Sequence, residues 1–396
     1  MEAALITNAG IEDIAAKEVE EFIGVKARQE KCAAIFKPNS LLDLCRLCYC
    51  AQSASRILYL LAKVNVTAEL ENTLTAINVK LSKLTFDKWL DEKTTFKVEC
   101  ERHGSHNFTS SILAAGVGEL IIKSVESTRG FKPQTKMKNP DVLVYVFIAD
   151  NTCYIGIDFS GFDLSTRDYR IIGYTPSLRA TNAYALLRAA DFKKSDTLVD
   201  PFTHSGLLVI EAALYSLAKP VNYYRKQDFA FHKLRPLQKQ ELDKMFSQID
   251  QKVNKQARAT IHTLSDQFRF VKAAKTNSKV AGVNKLISFS RVDVEWLDTK
   301  FDKASVSLIA ANAPRVSKTN HNELRKLFSE LFYQAEFILK PKGKVALITN
   351  DLQLIEEAGA KYSFVKKGER DVWQGKELLK IAVMEKPVKA ITPAKS

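Results

Sequence analysis

The chain has 396 residues, 46% of them apolar and 26% charged, with only 15 Gly and 11 Pro, a composition that excludes a largely disordered or low-complexity protein and a length that allows two or three domains of roughly 100–200 residues. Fifty-nine Lys and Arg against 45 Asp and Glu leave a net charge of +14, which argues for a polyanionic partner, nucleic acid being the commonest. No apolar run approaches the roughly 18 residues of a membrane-spanning helix.

Residues 1–62 read as a small α/β unit. Ala3–Thr7 is an apolar strand, and Ile11–Phe22 an amphipathic helix with Ile14, Ala15, Val19 and Phe22 on one face. Cys32–Phe36 is a second strand, Ser40–Ser53 a helix with Ser40 as its N-cap, and Arg56–Ala62 a third strand. The opening residues Met1–Ile6 lack the basic start and long apolar core of a secretory leader, so a cytoplasmic location is expected. Without a secretory route, the six cysteines Cys32, Cys45, Cys48, Cys50, Cys100 and Cys153 are expected as free thiols. Cys45 and Cys48 have a CxxC spacing that zinc sites use. Leu41, Leu44, Cys45, Cys48, Ala51 and Ala54, however, recur at helical spacing, which makes them one buried face, and no metal is expected.

Residues 63–170 form a second unit. Leu74–Leu84 and Phe86–Leu90 read as helices, Thr95–Cys100 as a strand, and Ser110–Ser127 as a long helix with Ile112, Leu113, Val117, Leu120 and Ile121 as its apolar positions. Val142–Ala149 and Thr152–Ile157 are strands around a turn at Asp150-Asn151, followed by a polar stretch to Thr175.

From residue 171 to 386 helices and strands alternate, as in a parallel doubly wound sheet. The helices are Thr181–Ala190, Leu207–Leu217, Phe270–Ala281 and Glu323–Leu339. The strands are Thr197–Val199, Ile287–Arg291, Val306–Ala310, Gly343–Thr349 and Ala382–Glu385. Residues 219–257 read as an insertion holding a basic helix, and 387–396 as a disordered tail.

The most informative stretch is Val199-Asp200-Pro201-Phe202-Thr203-His204-Ser205-Gly206-Leu207. A strand ends in an acid, a tight loop follows and a helix begins, which puts a ligand at the carboxyl edge of the sheet. Gly206 is expected to let the backbone approach that ligand closely, with free N–H groups at the helix start.

That stretch, continued through Glu211-Ala212-Ala213, resembles the D-P-F/M-C-G-S-G-T-x-x-I-E-A-A motif of S-adenosylmethionine-dependent RNA methyltransferases that carry a THUMP domain. Other matches follow in order. Phe229–Leu234 resembles F-A-F-x-K-W/L, Ala274–Val283 resembles A-x-x-N-A-x-x-A-G-V, and Ala311-Asn312-Ala313-Pro314-Arg315 stands at the N-P/L-P-Y/F catalytic motif. Arg102–Phe108 is similar to the THUMP signature R-x-G-x-H-x-F, continued by Lys136–Val142 and Tyr154–Gly161 and closed by Arg167-Asp168-Tyr169-Arg170. The likeness spans about residues 1–386, and the order of the motifs is far more specific than any one of them. It is strongest to archaeal tRNA guanine-N2 methyltransferases, then to bacterial large-subunit rRNA ones.

The resemblance implies an α/β chain with a ferredoxin-like domain over 1–62, a THUMP RNA-binding domain over 63–170 and a Rossmann-like methyltransferase domain over 171–386. S-adenosylmethionine is the implied cofactor, RNA, and tRNA first, the partner, and a monomer the expected state. Asp200, Pro201, Thr203, His204, Ser205, Gly206, Asp266 and Asp293 would hold the donor, and Asn312, Pro314 and Arg315 would carry catalysis. Arg102, His106, Lys136, Lys138, Arg167 and Arg170 would contact RNA, with His103 and His106 open to a structural reading. Thr203-His204 stand where the family has Cys-Gly, Leu207 replaces a Thr, the ribose-binding acid falls at Ser265 or Asp266, and Arg315 takes the place of a stacking aromatic. An active RNA methyltransferase and an RNA-binding scaffold that has lost the donor site both remain open.

Overall fold

The structure, a computed structural model, describes residues 2–175, 178–254 and 260–387; the expected tail lies almost wholly outside them. The chain forms two compact units, one of Met1–Thr7, Glu12–Leu164 and Asn222–Gln251, the other of Asn8–Ile11, Ser165–Val221 and Lys252–Ser396. Among the described residues no helix is long and apolar enough to cross a membrane.

The first unit begins β1 (Ala3–Ile6), α1 (Glu12–Ile23), β2 (Arg28–Glu30), β3 (Ala33–Phe36), α2 (Leu41–Cys50) and β4 (Arg56–Asn65). It continues with α3 (Leu70–Leu81), β5 (Thr95–His103), α4 (Ser110–Arg129), β6 (Gln134–Thr135), β7 (Val142–Ala149) and β8 (Thr152–Asp158). Its eight strands form one sheet in the order β2-β3-β1-β4-β8-β7-β5-β6. The sheet runs unbroken through positions 62 and 63, where the sequence suggests a division. The ten-residue β4 offers both edges, pairing β1 along Arg56–Tyr59 and β8 along Leu58–Asn65. β7 is apolar at all eight positions and buried throughout, as a strand covered on both faces must be. α4 buries Leu113, Val117, Ile121 and Val125, one side chain per turn, and starts where the Thr109 hydroxyl accepts the Ile112 N–H at 3.3 Å. Cys45 and Cys48 lie fully buried in α2, and burial pushes both thiols well up.

Two expectations fail here for local reasons. Phe86–Leu90 is a turn and not a helix, because Phe86 sits at φ +57° and a single turn closes with Leu90 N–H donating to the Phe86 carbonyl at 2.8 Å. The helix in the 219–257 insertion, α7 (Lys239–Asp250), is not basic: Lys239 and Lys244 face Glu241, Asp243 and Asp250 in its sequence, and it buries Leu242, Met245 and Phe246 in the first unit's core.

The second unit holds α5 (Ala180–Ala189), β9 (Thr197–Asp200), α6 (Leu207–Leu217), β10 (Thr260–Ser265), α8 (Phe268–Val280), β11 (Ile287–Arg291), α9 (Leu297–Lys300), β12 (Val306–Asn312), α10 (His321–Ile338), β13 (Leu339–Thr349), α11 (Leu352–Ala360), β14 (Val365–Gln374) and β15 (Glu377–Glu385). Its sheet order is β11-β10-β9-β12-β13-β15-β14. The five strands from β11 to β13 are parallel, and β15 and β14 close the sheet as an antiparallel hairpin. From β9 the chain winds outward to β10 and β11, then returns to β12 on the other flank. The order therefore reverses between β9 and β12, and the crevice outside their carboxyl ends is where such sheets bind ligands.

Candidate active site

β9 delivers Asp200 to that crevice and β12 delivers Asn312, and both line one small cavity with Phe202, Thr203, His204, Ser205 and Leu208. It encloses about 40 Å³. Burial pushes the Asp200 carboxyl up to about 7, even though the Phe202 N–H donates to it at 3.1 Å. The loop is stitched in place. Thr203 N–H donates to the Leu264 carbonyl at 3.0 Å, and the Asn277 amide donates to the carbonyls of Ser205 and Ile172, both at 2.8 Å. His204 stacks edge-on against Phe270 with ring centroids 4.7 Å apart, and burial lowers its pKa, so the ring covering the cavity is neutral. Pro201 is buried beneath the loop.

Gly206 also lines the cavity. It has φ +77°, and a Cβ there would lie 2.7 Å from the Ala274 side chain, so the glycine also lets α8 pack against the start of α6.

The neighbouring strand ends add further polar groups. Asp266 follows β10 directly and is exposed, with the Ser265 hydroxyl 3.2 Å from its carboxylate and the Arg291 guanidinium donating to its carbonyl at 2.8 Å. Asp293, two residues past β11, is exposed and caps a short turn, accepting the Glu295 N–H at 3.4 Å. On the acceptor side Pro314 is half-buried, and the Arg315 guanidinium is held by both carboxylate oxygens of Glu377 at the start of β15. Nothing in the sequence pointed to Glu377, which lies 62 positions away.

The expected RNA contacts divide. Arg167 is corrected: it is buried, with Nε 2.8 Å and Nη2 3.2 Å from the Glu211 carboxylate, and Tyr169 donates to the same carboxylate at 2.5 Å. A guanidinium enclosed in this way has no access to a phosphate. Arg170 is half-buried beside Gly173. Arg102 lies over the Phe108 ring at 5.9 Å. His103 pairs with Glu101 at 2.9 Å and His106 with the Asp150 carbonyl at 2.9 Å, so both have structural partners. Lys136 and Lys138 are exposed. Near them the first unit has a cavity of about 500 Å³, lined by Lys97, Asn139, His232 and Lys233 among others, that single-residue motifs did not foreshadow.

A family model described as "RMKL-like, methyltransferase domain" matches residues 167–380, and one described as "THUMP domain" matches 71–158. The chain is 28% identical over 379 residues to the tRNA (guanine(6)-N2)-methyltransferase of Methanocaldococcus jannaschii, covering 95% of this chain and 97% of that one. It is 27% identical over 378 residues to the enzyme of the same name from Archaeoglobus fulgidus, covering 94% and 89%. A solved structure of a putative methyltransferase complexed with SAH superposes with a TM-score of 0.81 at 17% identity, over 98% of this chain and 99% of that one, and so shares its fold.

Proposed function

Because this chain belongs to the RMKL-like methyltransferase-domain family, we propose that it transfers a methyl group from S-adenosylmethionine to the exocyclic N2 amine of a guanine in tRNA. The RNA is held by the THUMP-bearing unit, and the protein works as a cytoplasmic monomer with a ferredoxin-like region over 1–62, a THUMP region over 63–170 and a catalytic region over 171–386. The observation that carries this reading is the convergence of Asp200 and Asn312 on one cavity at the strand-order reversal.

The residues present fit the donor. A buried carboxyl held near pH 7 lacks the countercharge that an ammonium would supply. The ends of β9, β10 and β11 add Ser205, Ser265, Asp266 and Asp293 for hydroxyl and amine hydrogen bonds. When bound, the donor supplies an electrophilic methyl carbon. The chain's own task is then to aim the amine. The lone pair of guanine N2 is delocalised into the ring, and the Asn312 side-chain carbonyl, accepting one amine hydrogen, turns that lone pair out of conjugation. Pro314 fixes the chain direction beyond it. Most of the rate gain comes from this positioning.

The narrowness of the cavity favours one second reading, an RNA-binding scaffold that takes no donor. Calorimetric titration with S-adenosylmethionine, paired with radiolabelled methyl transfer to unmodified tRNA transcripts, separates the two. Micromolar donor binding with label in N2-methylguanosine is expected. Tight tRNA binding with no donor heat overturns the enzyme reading.

A further inference from the structure

The loop after β12 is tied at its backbone on both sides of Arg315. Ala313 N–H donates to the Ile348 carbonyl at 3.0 Å, the Asn320 amide donates to the Arg315 carbonyl at 3.0 Å, and Val316 and Asn350 exchange bonds of 3.0 and 2.8 Å. Glu377 then holds the Arg315 side chain with a two-oxygen fork that fixes a guanidinium plane as well as its position. The pair is neither enclosed nor loose, with 37% of the Arg315 side chain and 33% of Glu377 exposed.

We propose that Glu377 is a positioning residue for the methyl acceptor: it holds Arg315 as a flat, charge-neutralised platform on which the extruded base stacks beside Asn312. This rests on the methyltransferase reading above. Arginine planes stack on bases as aromatic rings do. An unpaired arginine three residues from the reacting amine would instead be drawn to a phosphate, because guanidinium matches phosphate in both charge and geometry. A carboxylate fork cancels the charge while leaving the face available. A simpler structural role for the pair is a poor explanation, since an ion pair this exposed adds little to stability.

The test uses four full-length proteins: the parent, E377Q, R315F and R315F/E377Q. Methyl transfer to tRNA transcripts is measured as kcat and KM, alongside thermal melting. E377Q is expected to lower kcat about tenfold or more, with KM for tRNA within about twofold and melting unchanged. R315F supplies a ring that needs no fork, so whatever kcat R315F has on its own, adding E377Q to it should lower kcat no further. Equal losses from E377Q in both backgrounds, or no loss in the parent, overturn the proposal while leaving the methyltransferase reading intact. A parent that transfers no methyl group defeats that reading and this one with it.

Discussion

Two arginine–carboxylate forks in the second unit have surroundings that give them opposite meanings. Arg167 and Glu211 are 1% and 0% exposed, and the Glu211 carboxylate also accepts from Tyr169; Arg315, on the loop after β12, and Glu377, at the start of β15, are 37% and 33% exposed. In sequence Arg167 reads as an RNA contact and Arg315 as part of the catalytic motif. Burial separates them. Two charges taken out of water must satisfy one another completely, so the first pair is committed to the fold. The second is partly open to solvent.

Glu211→Ala should give the largest effect. Removing one partner of an enclosed pair leaves an uncompensated guanidinium, and unfolding in urea should show a loss of about 3–5 kcal/mol. Glu377→Ala should cost less than about 1 kcal/mol in the same measurement. If the two variants lose equal stability, burial is not what distinguishes these arginines.

Asn312→Ala should invert the pattern, with stability near the parent's and turnover lower by about a hundredfold. The tRNA dissociation constant, measured by filter binding, should stay near the parent's. Parallel loss of binding and turnover would remove Asn312 from the aiming role.

Asp200 gives a smaller, pH-dependent effect. Its folded pKa of about 7 lies above the ordinary 3.8. The folded protein therefore retains a proton that the unfolded chain has already lost between those values, and this contribution to stability is present in acid and disappears as pH rises toward 7. A cationic donor favours the ionised carboxylate, so its affinity should fall by up to about tenfold per pH unit below 7, with proton release seen by calorimetry in buffers of different ionisation heat. Asp200→Asn should flatten that dependence; a slope that survives the substitution would place the titrating group elsewhere.

The parts of this molecule legible in sequence were those whose pattern is local. The Asp200–Gly206 loop, α4, α6, β7 and β8 announce themselves through apolar periodicity and a strand–loop–helix signature. Polar edge strands do not. β2 (Arg28–Glu30) and β14 (Val365–Gln374) contain mostly polar side chains, and each pairs with a neighbouring strand. Long-range partners were equally hidden. The packing role of Gly206 is set by Ala274, and the fate of Arg167 by Glu211, 44 positions away. Within the site, Asp200, Thr203, His204, Ser205, Gly206 and Asn312, all singled out in the sequence, line one cavity. It had no means of showing that the loop is closed by His204 on Phe270 or that Glu377 holds Arg315.

The smallest effect is expected from exposed cations that burial does not tie to a carboxylate. Lys136 and Lys138 are exposed and carry charge into a unit whose THUMP match implies RNA. Phosphate contacts contribute through counterion release, so each lysine removed should lower the slope of log affinity against log salt by about one. The double variant Lys136→Ala/Lys138→Ala should therefore bind tRNA with a slope shallower by about two, with N2-methylation still occurring at the same nucleotide. Arg167→Ala, assayed in its folded fraction, should leave the slope untouched, because a guanidinium enclosed by Glu211 displaces no counterion from RNA. A salt slope that responds to Arg167 and ignores the lysines would mean that burial in the free protein is a poor guide to which cations meet the nucleic acid.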